Sequence, residues 1–288
     1  MPELPEVETI VRELNKKVTR KKIIALAVTA PKMVNLPVRG LRQRLVGSTI
    51  KKVSRRAKMI IMELANRRYI LIHLKMTGQL IYRGGKGRIG AVGGHPIVNG
   101  LKNLPNSFTR IIIIFADGSV LFFNDLRKFG WARLVDQKHL DGVLAEYGIE
   151  PFTAAWTLKN FQAALGRYPR RKIKQLLLDQ GVIAGVGNIY ADEACFSARI
   201  RPMRQTGSLR AAEVTALYRA IPKILHRSIS HGGTSADQYV RTDGSQGGFM
   251  PYLQVYGRGG QPCKKCKTKI TKIQLNGRGT HYCTHCQR

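Results

Sequence analysis

The tightest constraint on this chain lies near its C-terminal end. Four cysteines fall there in two pairs, Cys263-x-x-Cys266 and Cys283-x-x-Cys286, with sixteen residues between the pairs. Each CxxC turn lets two sulfurs reach one ion, and two such turns close a tetrahedral shell of thiolates. The spacing is that expected of a tetrathiolate zinc ribbon. With four thiolates and no vacant position, the single Zn2+ implied here is structural. Two disulfides are the rival reading, and a reducing compartment disfavours them. The fifth cysteine, Cys195, stands alone in an apolar stretch and reads as a small core residue.

Charge says who the partner is. Lysine and arginine number 49 against 17 aspartate and glutamate, a formal charge of +32 over 288 residues. Such an excess bears on association rather than fold. A polyanion is the natural counterpart, nucleic acid first, with an anionic membrane surface as the bland rival. No stretch approaches the roughly 20 apolar residues that span a bilayer. Glu3, Glu6 and Glu8 stand where a signal peptide carries positive charge, so a cytosolic chain is expected. At 43% hydrophobic residues the chain can bury a core, and its length suits two moderate domains better than one.

Along the chain, Val7, Ile10, Val11, Leu14 and Val18 recur at helical spacing, with acidic residues crowding the first turn. Short β-rich runs follow at Ile23–Val28, Met59–Leu64, Tyr69–Leu74, Ile111–Ala116 and Val120–Phe123. Asp117-Gly118 marks a hairpin between the last two. The pattern predicts an antiparallel sandwich or barrel. Residues 84–106, with seven glycines, read as a long surface loop or insertion. After about residue 150 helices are predicted at Leu158–Leu165, Lys172–Gln180, from Asn188 onward, and at Leu209–Ser230, the last kinked by Pro222. The Gly-, Ser- and Asp-rich stretch 231–250 reads as a mobile loop before the ribbon.

Several residues carry chemistry. Removal of Met1 before a small residue such as Pro2 exposes a secondary amine. A generic α-amine has a pKa of about 7.7–8.0, against about 10.4 for lysine. Such an amine attacks a sugar C1′ to give an iminium ion, an electron sink that permits loss of phosphates. Glu3 beside it is placed to act as general acid or base. Taken alone, Pro and Glu at a helix start are ordinary N-terminal residues. Lys75-Met76-Thr77-Gly78 and Arg127-Lys128-Phe129-Gly130 set cations beside residues able to wedge into a duplex. On pattern alone, core burial of Met76 and Phe129 is the favoured account. Gly185-Val186-Gly187-Asn188 is a tight turn whose following N–H groups suit a phosphate, with Asn188 adding a donor. Arg170, Arg171, Lys172 and Lys174 read as a solvated, phosphate-attracting face. Arg278, flanked by Gly277 and Gly279 between the two CxxC pairs, is expected to project from a ribbon tip.

Together these residues resemble the formamidopyrimidine-DNA glycosylases, bacterial enzymes that excise oxidised purines. The resemblance runs from Met1-Pro2-Glu3-Leu4-Pro5-Glu6-Val7-Glu8-Thr9 through Asp125-Leu126-Arg127-Lys128-Phe129-Gly130. It continues through Asp179-Gln180 to Asn188-Ile189-Tyr190-Ala191, and ends in the ribbon at Gly277-Arg278-Gly279-Thr280-His281-Tyr282-Cys283. It implies an α+β multidomain fold. A β-sandwich with a leading helix occupies residues 1–148, a helix–two-turns–helix domain 149–250, and a zinc ribbon 251–288. It also implies that Pro2 is the Schiff-base nucleophile and Glu3 the proton donor. Lys58 would serve β-elimination and phosphate contact, and Arg278 δ-elimination and phosphate binding. Met76, Arg127 and Phe129 would fill the gap left by the extruded nucleotide, with Arg127 facing the orphaned cytosine. His73, Asn188, Tyr256 and Lys272 would contact phosphates, and Glu6 would set a second carboxylate near the sugar. A loop at 240–250 would close over the lesion. The implied partner is double-stranded DNA with oxidised purines or abasic sites, bound by a monomer in the cytoplasm, at the nucleoid. Two features depart from the family: segment 84–106 is longer, and Phe108 stands where members often carry a DNA-contacting histidine. Two rival readings are an endonuclease VIII-type enzyme for oxidised pyrimidines, which usually has Gly in place of Leu4, and a non-catalytic damage sensor.

Overall fold

The computed structural model describes residues 1–87, 89, 93–94, 103–234 and 248–288. Most of the Gly-rich insertion and residues 240–247 of the expected lesion loop lie outside the described residues. The chain divides into two compact units, one of Met1–Leu144 with His231–Gly248, the other of Ala145–Ser230 with Phe249–Arg288.

The first unit begins with helix α1 (Leu4–Val18), whose buried stripe of Leu4, Val7, Ile10, Val11, Leu14 and Val18 follows the 3.6-residue period. It packs on strands β2 (Ile50–Arg56) and β3 (Met59–Leu64). Glu8 reinforces the seat, with Arg55 at 2.6 Å and Arg12 at 2.7 Å. Burial pushes the Glu8 carboxyl up, but the two guanidiniums win and hold it below its ordinary range. Among the described residues two four-stranded antiparallel sheets form the sandwich. One has the order β2-β3-β4-β8, with β4 at Tyr69–His73 and β8 at Trp131–Val135. The other runs β1-β6-β7-β5, from Ile23–Val28, Thr109–Phe115, Val120–Asp125 and Gly78–Arg83. Ile60, Met62, Ile70 and Ile72 meet Leu80, Ile111, Ile113 and Phe123 in the core between them. Each such buried side chain contributes about 1.5–3 kcal/mol.

Strands β2, β5 and β8, helix α2 (Val38–Leu45) and helix α3 (Gln137–Ala145) were absent from the sequence-based expectation. In β2 the reason is visible. Ile50 and Val53 both face inward although three residues apart, because a bulge between Ile50 and Lys52 shifts the register and breaks the two-residue period. Helix α2 buries only Leu41 and Leu45 and is otherwise mostly basic, which leaves little periodic signal.

The second unit holds helices α4 (Leu158–Gly166), α5 (Ile173–Leu178), α6 (Asn188–Ser197) and α7 (Ala211–Ser230), then a ribbon of β9 (Ile270–Leu275) and β10 (Arg278–Cys283). Helix α7 is one element that runs through Pro222. Helix α6 touches α5, α7 and β10, so it is the hub of the unit. Cys195, fully buried on α6, is the core residue expected, and burial pushes its thiol well above the ordinary range.

Candidate nucleic-acid interface

At the start of α1, Pro2 and Glu3 are buried while Met1 stays 45% exposed. Glu3 and Glu6 form a reciprocal capping box, in which the Glu3 N–H donates to Glu6 Oε2 at 2.9 Å. The other Glu6 oxygen accepts the Thr234 N–H at 2.8 Å. Glu6 is thus only 2% exposed and holds backbone at both oxygens, so it orients Glu3 and the entry to the segment after Thr234. Gly233 is bound to this arrangement: at φ +89°, a Cβ there would sit 3.1 Å from Glu6 Oε1.

Lys58 occupies the β2–β3 turn, where Arg56 pairs with Met59 and Ala57 takes φ +51°. The ammonium is buried, and its field reaches His73. Burial above all, then the charges of Lys75 and Lys58, pushes the His73 imidazole down to about 3. The Lys75 N–H donates to His73 Nδ1 at 3.0 Å, so the neutral ring carries its proton on Nε2, as a donor.

Two loops of this unit present the residues expected to wedge into a duplex. Met76, in the β4–β5 turn, is 37% exposed, and Phe129, after β7, is 52% exposed. The core reading of Met76 and Phe129 is therefore wrong: these apolar side chains face solvent beside cations. The Arg127 guanidinium stacks 4.7 Å over the Phe129 ring. Beneath them lies Asp125, fully buried, a residue that sequence reasoning left without a role. Its carboxylate accepts the Thr77 hydroxyl, the Arg127 N–H at 3.1 Å and the Gly130 N–H at 2.7 Å. The Arg127 N–H also donates to Thr77 Oγ1 at 3.0 Å. One carboxylate thus ties both loops into one platform. Gly78 is required in the first loop, because a Cβ would lie 2.4 Å from the Leu74 carbonyl oxygen.

In the second unit, Asn276-Gly277 joins β9 to β10 as a two-residue turn with φ +49° and +73°. That is the geometry of a type I′ hairpin, the turn that Asn-Gly favours. Arg278 follows at the exposed tip, as expected. It borders a cleft of about 280 Å³ shared with Arg171, Lys174 and Asp179. The expected solvated face at 170–174 needs correction at Lys174. Arg170 is exposed, but Lys174 is 1% exposed. Its ammonium lies 2.7 Å from Asp192 Oδ1 and donates to the Gly279 carbonyl at 2.9 Å and Thr280 Oγ1 at 2.8 Å. Charge alone could not reveal this, since the acid that buries Lys174 lies on another helix. Arg171 is likewise taken up, pairing with Asp179 at 2.8 Å.

Asn188 opens α6, with Gly187 as N-cap. Its Nδ2 donates to the Gly279 carbonyl at 3.1 Å, so the side chain holds the ribbon. Asp192 Oδ2 accepts the His281 N–H at 2.8 Å, and the neighbouring Glu193 accepts the N–H groups of Gln254, Val255 and Tyr256 at 2.9–3.0 Å. Burial pushes the Glu193 carboxyl up against the pull of those donors. The Tyr256 ring meets His281 edge-on at 5.2 Å, and Lys272 is exposed on β9 opposite His281.

The sulfurs of Cys263, Cys266, Cys283 and Cys286 all lie within 4.8 Å of one another. Cys263 and Cys286 are 4.0 Å apart, and Cys266 and Cys283 3.4 Å. A tetrahedral Zn2+ with bonds of about 2.3 Å sets its sulfurs about 3.8 Å apart. The cluster therefore fits the zinc ion that the spacing implied, and its sulfurs stand too far apart for disulfides.

Comparison with known proteins accords with this geometry. Residues 1–132 match the formamidopyrimidine-DNA glycosylase N-terminal domain, 147–239 the formamidopyrimidine-DNA glycosylase H2TH domain, and 260–288 the zinc finger found in FPG and IleRS. A formamidopyrimidine-DNA glycosylase of Pelotomaculum thermopropionicum is 38% identical over 291 residues, covering 100% of this chain and 99% of the relative. One of Halalkalibacterium halodurans is 39% identical over 294 residues, with 100% of both covered. Among solved structures, the complex between the Lactococcus lactis Fpg and an abasic site containing DNA superposes with a TM-score of 0.87 at 34% identity, over 100% of both chains. A complex of the same organism's protein with a Fapy-dG containing DNA gives 0.85 at 35% identity, over 99% of this chain and 100% of the other.

Proposed function

The chain belongs to the formamidopyrimidine-DNA glycosylase family, and from that premise we propose that it is a bifunctional DNA glycosylase and abasic-site lyase. Its substrates are oxidised purines, 8-oxoguanine and formamidopyrimidines, in duplex DNA. The observation that carries this reading is the N-terminus of α1, where Pro2 and Glu3 sit at the positive end of a helix and Glu6 locks the Glu3 backbone.

Loss of Met1 frees the Pro2 nitrogen. That secondary amine attacks C1′ of the damaged nucleotide, and the C1′–base bond breaks as the base leaves protonated. Glu3 supplies or relays the proton. The nitrogen then sheds its proton and the C1′–O4′ bond opens, with its electron pair and a proton going to O4′, to give an iminium. That iminium acidifies C2′, whose proton is removed while the bond to the 3′ phosphate breaks. A second elimination expels the 5′ phosphate, leaving a one-nucleotide gap with phosphate at both ends. Lys58 and Arg278 hold phosphates and assist the two eliminations. His73, Asn188, Tyr256, Lys272 and Arg170 fix the backbone, and the exposure of Arg170, Lys272 and Arg278 supports that role for them. Extruding a nucleotide costs a few kcal/mol, which Met76, Arg127 and Phe129 offset by filling the gap. The zinc site supplies structure to the ribbon. The protein works as a monomer in the cytoplasm, on the nucleoid.

Borohydride trapping on a duplex with one 8-oxoguanine opposite cytosine, alongside a thymine glycol duplex, tests the reading. A covalent complex on the 8-oxoguanine strand that maps to Pro2 and disappears in Pro2→Gly supports it. Trapping on thymine glycol alone moves the chain to oxidised pyrimidines. Near-normal trapping by Pro2→Gly sinks the proline assignment.

A further inference from the structure

Strand β8 carries two side chains that none of these roles uses. Trp131 and Arg133 are two residues apart, so they share one face of the strand, while Ala132 and Leu134 turn inward and are buried. Trp131 is the direct cross-strand partner of His73. Their ring centroids lie 5.8 Å apart at 43°. The Arg133 guanidinium stacks 4.5 Å over the Trp131 ring. A three-member row, His73, Trp131 and Arg133, therefore crosses the sheet from the end of β4 onto β8.

This row is joined to the wedge platform. Gly130 lies between Phe129 and Trp131, and a Cβ there would sit 2.7 Å from Phe123 Cζ and 3.1 Å from the His73 carbonyl oxygen. The backbone thus passes directly against the end of β4 as it leaves the wedge loop. Trp131 is half-buried, so its position is set by the sheet, whereas Arg133 is exposed. Among the described residues no carboxylate pairs with Arg133. A guanidinium laid on an indole face is pre-organised, so it loses less freedom when it meets an anion.

We propose that Trp131 and Arg133 extend the DNA contact surface along β8, with Arg133 neutralising a backbone phosphate beyond the one held by His73 and Trp131 positioning both groups. The inference rests on the DNA-repair reading above. The bland alternative is a solvated Arg–Trp pair that merely covers the sheet. The two differ in what salt does, because each phosphate neutralised adds about 0.9 to the slope of log K against log salt concentration.

The experiment is equilibrium binding to a duplex with a tetrahydrofuran abasic analogue, across a salt series, for the full chain and for Arg133→Ala, Trp131→Ala and Trp131→Phe. Arg133→Ala is expected to lower the slope by about one and weaken low-salt binding about five- to tenfold, with unfolding temperature unchanged. Trp131→Ala is expected to lower the slope likewise, and Trp131→Phe to restore most of it, which a purely structural loss would not show. In a Trp156→Phe background, Trp131 emission is expected to change when the duplex binds. An unsubstituted chain that binds with an unchanged slope in Arg133→Ala, or with unchanged Trp131 emission, overturns this inference alone. An unsubstituted chain that binds no lesion duplex overturns it together with the reading beneath it.

Discussion

The carboxylate of Asp125 and the hydroxyl of Thr77 meet in buried space beneath two loops, 48 residues apart in the chain. Through that contact and the amides of Arg127 and Gly130, the loop that carries Met76 and the loop that carries Phe129 share one anchor.

Asp125→Ala is therefore expected to loosen both tips at once. It removes hydrogen bonds to a charged group and leaves buried donors unsatisfied, a loss of about 2–3 kcal/mol. Single-turnover excision should slow at least tenfold, because a mobile wedge no longer offsets the cost of extrusion. Thr77→Val should cost about 1 kcal/mol and act in the same direction. Denaturant unfolding and excision kinetics measured on the same samples check this. Equal midpoints and rates for Asp125→Ala and the parent chain would remove Asp125 from its anchoring role.

His73 predicts a pH dependence. Its folded pKa, near 3, lies below the ordinary value of 6.5. As pH falls from about 6.5 towards 3, the unfolded chain binds a proton at this residue that the folded chain refuses, so stability declines through that window. The His73 ring signals should stay those of a neutral imidazole at pH 5 in an NMR titration, and His73→Asn should flatten stability between about pH 6.5 and 4. A ring that titrates near 6.5 contradicts the buried, cation-flanked setting.

The thiolate cluster predicts one zinc per chain. Chelation should abolish binding to abasic-analogue DNA, because the metal sets the end of the hairpin that presents Arg278 and Lys272. Zinc release with a chromogenic chelator, followed in parallel with DNA binding, checks this. Metal loss with full binding would separate the ribbon from DNA contact.

Buried charge gives the fourth expectation. Asp192→Ala strands the Lys174 ammonium in the interior and should cost about 3–5 kcal/mol, whereas Lys174→Met with Asp192→Leu should recover much of it. Denaturation midpoints of the single and double variants decide between these outcomes. A mild Asp192→Ala would mean that the ion pair contributes little.

The legibility of this molecule in its sequence followed the range of each interaction. The zinc ribbon, α1, α6 and the central strands were readable, because CxxC turns, a 3.6-residue stripe and apolar runs are local signals. Strand β2 was not, since its bulge between Ile50 and Lys52 conceals the alternation. Met76 and Phe129 were misread by pattern for the opposite reason: composition favours burial of such residues, and only the buried Asp125 beneath them explains how they are held out. Lys174 looked like one more member of a basic run until its acid partner arrived from α6. The proposed catalytic pair Pro2 and Glu3 came from resemblance rather than periodicity, as local chemistry makes them ordinary.

The two adjacent acids of α6 also bear on modularity. The ribbon has the outline of a detachable cassette, a metal-closed hairpin at the end of a chain. Yet Asp192 and Glu193 take up its His281 amide and the three amides of the segment that leads into it, and Lys174 and Asn188 grip the Gly279 carbonyl. From the far end, Gln287 donates to the Ile200 carbonyl. Grafted onto another scaffold, the hairpin would arrive with those donors and acceptors bare, and the helix left behind would keep two carboxylates with nothing to receive. A graft that keeps the hairpin seated must bring Asp192 and Glu193 with it or supply acceptors in their place, so the structural unit here is larger than the metal site suggests.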